Sequence, residues 1–152
     1  MRFFIEFSYK GDNYHGWQVQ PNANTVQQEI NTALSVILND KIEVTGAGRT
    51  DAGVHAKQMF AHFDFDFHNE DLVFKLNNFL PNDIVIHEIR PVKDNANCRF
   101  DALSRTYVYY ITHNKNPFNS TSYLLHNSLV FVQSIGIKNI KINTFYLGGK
   151  IK

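Results

Sequence analysis

The sequence predicts an α+β fold of the ferredoxin-like, split βαβ kind: a four-stranded antiparallel sheet with two helices on one face, extended by a further strand. Three observations carry that expectation. Stretches of period 2 and of helical period follow one another in the order strand, helix, strand, strand, helix, strand. The chain of 152 residues, 43% hydrophobic and 14% aromatic, can bury one core but is short for two domains. No internal repeat or low-complexity linker divides it.

Arg2–Tyr9 (RFFIEFSY) sets Phe3, Ile5 and Phe7 on one side against Phe4, Glu6 and Ser8 on the other, the alternation of a strand. After a loop over residues 11–24, Thr25 stands where an N-cap belongs and Gln28 completes a capping box. Val26, Ile30, Ala33, Leu34 and Ile37 then recur at helical spacing, so a helix is expected over Val26–Leu38, broken by Asn39 and Asp40. Residues 41–45 (KIEVT) read as a short strand, and residues 46–53 are too rich in glycine for a helix interior. Met59, Ala61, Phe63 and Phe65 alternate with Phe60, His62, Asp64 and Asp66 as the third strand. Asn69 is expected to cap a second helix carrying Leu72, Val73, Leu76 and Phe79 and ended by Pro81, and residues 84–89 (IVIHEI) form the fourth strand. That arrangement leaves one face of the sheet free. Residues 105–112 (RTYVYYIT) supply the further strand, with Tyr107 and Tyr109 on the face opposite Tyr110.

Composition narrows the class of protein. No apolar run approaches the ~20 residues of a membrane helix, and Glu6 interrupts the N-terminus where a signal peptide would stay apolar, so a soluble, cytoplasmic protein is expected. The single cysteine, Cys98, excludes a disulfide framework, and no Cys/His spacing matches a structural zinc site. The net charge of +1 hides an asymmetry: residues 1–101 hold 9 Lys/Arg against 14 Asp/Glu, whereas residues 102–152 hold 6 Lys/Arg and no acid. A basic segment after an acidic one suggests a polyanionic partner, but the density is thin and part of the charge lies in the last 25 residues, 128–152.

The chemistry concentrates in residues 46–56, GAGRTDAGVHA, with three glycines, Arg49, Asp51 and His55. It is no P-loop, since no Gly-Lys-Ser/Thr follows, and Asp51 breaks the dinucleotide-binding G-x-G-x-x-G pattern. On residue chemistry alone, Asp51 is either half of a structural ion pair with Arg49 or a nucleophile or base held ionised by it. His15, His55, His62 and His68 lie in different predicted elements without metal-ligand spacing, which argues against a metal site. Tyr14, Trp17 and Tyr107 are either core aromatics or platforms for stacking on bases.

Together these residues resemble the N-terminal half of the tRNA pseudouridine synthase A family. That family's opening Y-x-G-x-x-x-x-G-x-Q-x-Q is present as Tyr9, Gly11, Gly16, Gln18 and Gln20, followed by Thr25-Val26-Gln27. Its block G-R-T-D-A-G-V-H-A stands unchanged from Gly48 to Ala56, R-F-D-A-x-S-R-T-Y-x-Y runs from Arg99 to Tyr109, and N-P-F occurs as Asn116-Pro117-Phe118. The likeness covers roughly residues 1–127. It implies isomerisation of uridine to pseudouridine at positions 38–40 of the tRNA anticodon stem-loop, with no cofactor and no metal, by a cytoplasmic homodimer. It further implies Asp51 as the catalytic aspartate, Arg49 as its pairing arginine, Tyr107 stacked on the target base, and Gly48, Thr50, Gly53, His55, Arg99 and Arg105 in the substrate site.

Two departures stand out. The family usually writes F-H-A-R where this chain has Ala96-Asn97-Cys98-Arg99, so Asn97 replaces a histidine. The family also continues into a second domain that closes the cleft, whereas here residues 1–103 would be the catalytic-loop domain, 104–127 the start of the second half and 128–152 a divergent tail. A truncated chain of this kind is expected to have little or no activity on its own. The competing reading is a non-catalytic RNA-binding module of ferredoxin-like fold; against it, the third strand, KQMFAHFD, lacks the consensus K/R-G-F/Y-G/A-F-V-x-F/Y.

Overall fold

Every second residue of β1 (Arg2–Tyr9) is buried, from Phe3 through Ile5 and Phe7 to Tyr9, as the alternation requires of a strand with one face on a core. In the computed structural model, which describes residues 1–66, 71–112, 123–124 and 139–144, the chain forms two compact units, Met1–Ala102 and Leu103–Lys152. In the first unit β1 is flanked on one side by β3 (Ala56–Asp64) and on the other by β4 (Ile84–Val92), both antiparallel. With β2 (Thr45–Gly46) outside β3, the sheet order is β2-β3-β1-β4, the split βαβ arrangement that the element order implies.

Helix α1 (Val26–Leu38) starts where its box predicts: the Gln28 amide donates to Thr25 Oγ1 at 3.4 Å. It ends at Asn39, whose left-handed φ of 53° lets its N–H donate to the Ser35 carbonyl. Its buried stripe of Val26, Ile30, Ala33 and Leu34 joins Leu72 and Leu76 of α2 (Leu72–Phe79) over the inward face of the sheet. Helix α2 has Asp71 at its N-cap position without a side-chain capping bond, and the expected cap, Asn69, lies outside the described residues. Among the described residues no helix is long and apolar enough to cross a membrane.

Two expectations need correction. The second strand is not residues 41–45: only Thr45 and Gly46 pair with β3. The preceding residues bury Ile42 and Val44 but satisfy their amides on α1, the Ile42 N–H donating to Ser35 Oγ at 2.9 Å and the Val44 N–H to Asn31 Oδ1 at 2.9 Å. Polar side chains of the helix therefore do the work of a neighbouring strand. Nor is the second face of the sheet wholly free. Arg2 forks onto Asp64, with Nε and Nη2 donating at 2.8 Å each, and its Nη1 donates to the Ala96 carbonyl. Beside it His62 and Cys98 are buried, His62 Nδ1 lying 3.2 Å from the Cys98 sulfur, whose thiol donates to the Thr45 carbonyl at 3.1 Å. Residues 94–98 are thereby fastened across one end of that face.

The second unit contains the further strand as β5 (Thr106–Thr112), paired in parallel with β6 (Tyr123–Leu124) and β7 (Asn139–Thr144). Strand β7 falls in the expected tail and was not anticipated, although Ile140 and Ile142 alternate with Lys141 and Asn143. The facing of Tyr109 and Tyr110 and the Asn116-Pro117-Phe118 segment lie outside the described side chains.

Burial, aided by the charge of Arg2 and opposed by that of Asp64, holds His62 below its ordinary value of 6.5. The folded chain therefore binds fewer protons than the unfolded chain just below that pH, and stability is lost as pH falls. The urea midpoint should drop between about pH 7.5 and pH 5.5, with a flatter profile in His62→Gln. Identical slopes in the two proteins would refute this assignment.

Candidate active site

Residues 46–56 leave β2 and return as β3, and their shape is set by the loop that joins β1 to α1. That loop is itself tied to the helix. The Val26 N–H donates to the Gly16 carbonyl and the Gln27 N–H to the Trp17 carbonyl, while the Gln27 side chain accepts from the Val19 N–H and donates to the Val44 carbonyl. Trp17, 1% exposed, stacks on Phe7 with ring centres 5.3 Å apart. Tyr14 is buried and its hydroxyl donates to Asp83 Oδ1 at 2.6 Å; burial first, then Asp83, pushes its phenol well above the ordinary range. Both aromatics belong to the core, which settles them against base stacking.

From this anchored loop, backbone groups reach the segment around Asp51. The Trp17 N–H donates to the Thr50 carbonyl at 3.1 Å, and the Gly53 N–H donates to the Tyr14 carbonyl at 3.3 Å. Within the segment the Val54 N–H closes a turn on the Asp51 carbonyl. Gly16, at φ 89°, lies directly against the Thr50–Asp51 peptide: a Cβ there would collide with the Thr50 carbonyl oxygen and stand 3.1 Å from the Asp51 carbonyl carbon. Only glycine combines that φ with that approach.

The side chains divide into two groups. Thr50 is half-buried, its hydroxyl 2.8 Å from the Tyr9 hydroxyl, and His55 Nδ1 accepts from the Gly11 N–H at 2.9 Å with Nε2 3.8 Å from Asp12 Oδ1. Arg49, Asp51 and Gly53 are exposed. No salt bridge joins Arg49 to Asp51 among the described residues, so the expected pair is not formed here. An exposed pair gains little in water against the side-chain freedom it loses, and nothing in the fold holds these two together.

Gly48 is half-buried in the same segment. Arg99 is exposed in the turn where Asn97 Oδ1 accepts from the Arg99 and Phe100 amides and Asp101 accepts from the Asn97 amide. Asn97 thus caps a turn. Arg105 and Tyr107, both half-buried, belong to the second unit.

Tyr9 is the residue that sequence reasoning undervalued. Its signal was present: a tyrosine ends the inward stripe Phe3, Ile5, Phe7, and a buried phenol needs a polar partner. Burial pushes that phenol above its ordinary value while the Thr50 hydroxyl pulls it back, so it stays protonated at neutral pH.

Substitutions at two glycines separate close packing from φ alone. Gly53 also has a positive φ, 76°, but open space where its Cβ would stand. Gly53→Ala should cost about 1–2 kcal/mol in urea unfolding, the strain alone. Gly16→Ala should cost about 3 kcal/mol or more, because the collision is with backbone. Equal costs would show that the Gly16 contact is not tight.

The segment can therefore present an ionisable carboxylate to solvent from a backbone gripped on several sides. A family model described as tRNA pseudouridine synthase matches residues 6–101. The chain is similar to tRNA pseudouridine synthase A of Azobacteroides pseudotrichonymphae, with 54% identity over 121 residues, 78% of this chain and 49% of the relative. The protein of the same name from Parabacteroides distasonis is 54% identical over 121 residues, 78% of this chain and 48% of the relative. That from Aquifex aeolicus is 41% identical over 120 residues, 76% and 50% of the two. The chain thus spans about half the length of the curated relatives it matches. Since the matched span runs from within β1 to the end of the first unit and encloses both loops around Asp51, the chain belongs to the tRNA pseudouridine synthase family.

Proposed function

We propose that this chain carries the catalytic half of a tRNA pseudouridine synthase acting on uridines 38–40 of the anticodon stem-loop in the cytoplasm, with Asp51 as the catalytic carboxylate. The observation that carries the proposal is the exposed Asp51 carboxylate on a backbone locked by Gly16, Trp17 and Tyr14, inside the unchanged block Gly48–Ala56. In this reading residues 1–103 are the catalytic-loop domain, 104–127 begin the second half, 128–152 are a divergent tail, and the working enzyme is a homodimer.

A uridine must leave its stack before its glycosidic bond can be reached. Asp51 then promotes breakage of the C1′–N1 bond, by attack on the sugar or base or by removing a sugar proton. The freed base rotates and bonds to C1′ through C5; the C5 proton goes to water and N1 acquires one. Isomerisation is redox-neutral, so the chemistry asks for no cofactor. Arg49, two residues from Asp51, can swing to the carboxylate when RNA displaces water and keep it ionised as the site dries. Tyr107 stacks on the flipped base, and Gly48, Thr50, Gly53, His55, Arg99 and Arg105 form the surrounding substrate site.

Stacking on one aromatic contributes roughly 1–3 kcal/mol, against a few kcal/mol to unstack the base. The 152 residues span about half the length of the relatives they match, and on that half alone the reactive arrangement, with the base held and water excluded, is sparsely populated. Tritium release from 5-tritiated uridine in tRNA tests both statements. The 152-residue chain alone should release little. Joined to the C-terminal half of the Parabacteroides distasonis relative it should release tritium, and Asp51→Ala should lower that rate by about 10³-fold or more. Release by the joined protein that does not depend on Asp51 would overturn the functional reading, and robust release by the chain alone would show that one half suffices.

A further inference from the structure

The Asp51 carboxylate makes no hydrogen bond or ion pair among the described residues. With no contact on the side chain, the backbone alone sets the place from which it projects, and the residue before it is fixed at two points. The Thr50 carbonyl accepts from Trp17, and the Thr50 hydroxyl meets that of Tyr9. We infer that Tyr9 and Thr50 are positioning residues, a hydroxyl pair that fixes the backbone from which Asp51 projects. The inference rests on the reading of Asp51 as the catalytic carboxylate.

Packing alone does not explain the pair. Tyr9 is 4% exposed and its ring stacks near Phe7, centres 6.1 Å apart, a place that phenylalanine would fill equally well. The phenol oxygen adds a polar atom to an otherwise apolar stripe, and a buried hydroxyl left without a partner is costly. Its other polar neighbour is the Met59 sulfur at 3.7 Å, a weak acceptor, so Thr50 is the partner that satisfies it. Threonine suits the second half of the pair because branching at Cβ restricts χ1, and the hydroxyl contact then transmits to the main chain. The strand that anchors Tyr9 is an inner strand paired on both sides, so the backbone bearing Asp51 is referred to the middle of the sheet. The Thr50 hydroxyl faces Tyr9, and the half-buried residue otherwise belongs to the substrate site proposed above.

The test uses Tyr9→Phe, Thr50→Val, the double variant and Thr50→Ser in the 152-residue chain. Nitrogen–proton correlation spectra read the backbone at Asp51 and Ala52, and amide exchange reads the bonds that hold it, from Trp17 to the Thr50 carbonyl, Gly53 to the Tyr14 carbonyl and Val54 to the Asp51 carbonyl. Tyr9→Phe and Thr50→Val should each shift the Asp51 and Ala52 resonances and speed exchange of the hydrogen-bonded Trp17, Gly53 and Val54 amides by about 10-fold. The double variant should do no more than either single change, and Thr50→Ser, which keeps the hydroxyl, should stay close to the parent. In the protein joined to the relative's C-terminal half, the first two changes should lower kcat for tritium release by about 10- to 100-fold with KM little altered, and Thr50→Ser should rescue it. Unmoved Asp51 and Ala52 resonances, additive effects, or a Thr50→Ser variant that behaves like Thr50→Val would overturn the inference. Loss of Asp51 dependence in the joined protein would instead sink the functional reading, and the amide measurements would still decide whether the hydroxyl pair sets the loop.

Discussion

The close approach of Gly16 to the Thr50–Asp51 peptide is the constraint on which the site depends. The β1–α1 loop and the β2–β3 loop, separated in the chain by helix α1, meet there main chain to main chain, with no side chain between them. Such contact is stiff because peptide groups have few soft degrees of freedom, and its hydrogen bonds do not vary with rotamer. The lock is in turn held from behind. Trp17 is wedged against Phe7 in the core, and the residues beside it cap the start of α1 through the Gly16 and Trp17 carbonyls. The helix, the central strand and the segment bearing Asp51 are therefore coupled through four residues, 14–17.

The fold was largely legible because its strongest elements are also its most periodic. In β1 the alternation of side chains is uninterrupted and its burial follows residue by residue. In α1 the cap, the apolar stripe and the terminating asparagine all agree, so propensity and tertiary packing never compete. Residues 41–44 failed for a specific reason. Their alternation marks the burial of Ile42 and Val44, but pattern cannot reveal whether the backbone bonds go to a strand or to the side chains of Ser35 and Asn31. His62 failed differently: at an outward position of β3 it is buried with Cys98 on its ring nitrogen and Phe4 beside its ring, contacts between residues far apart in sequence.

In the candidate site, composition and glycine spacing singled out residues 46–56 without revealing how they are held. Arg49 and Asp51 looked like partners because opposite charges two residues apart on a tight loop invite pairing. The turn closed by Val54 on Asp51, and the grip on Thr50, set the backbone before either charge is consulted. The hydroxyl of Tyr9 was the opposite case, a polar atom at the end of an apolar stripe whose partner no spacing rule could name.

The electrostatics of the first unit bear on how such a site could meet RNA. Residues 1–101 carry five more acids than bases, and Asp51 adds its charge at the very point offered to a polyanion. Long-range attraction from this unit as a whole is therefore absent, and approach has to rely on local cations such as the exposed Arg49 and Lys57 on the loop and the strand it leads into. A few local contacts release few counterions, so binding by this unit should be weak. Positive charge carried elsewhere in the working enzyme would have to supply the affinity, leaving the first unit the narrower task of fixing the backbone that bears one carboxylate. A division of that kind fits the architecture, in which rigidity resides in buried backbone contacts and the groups that would touch RNA stand out in solvent.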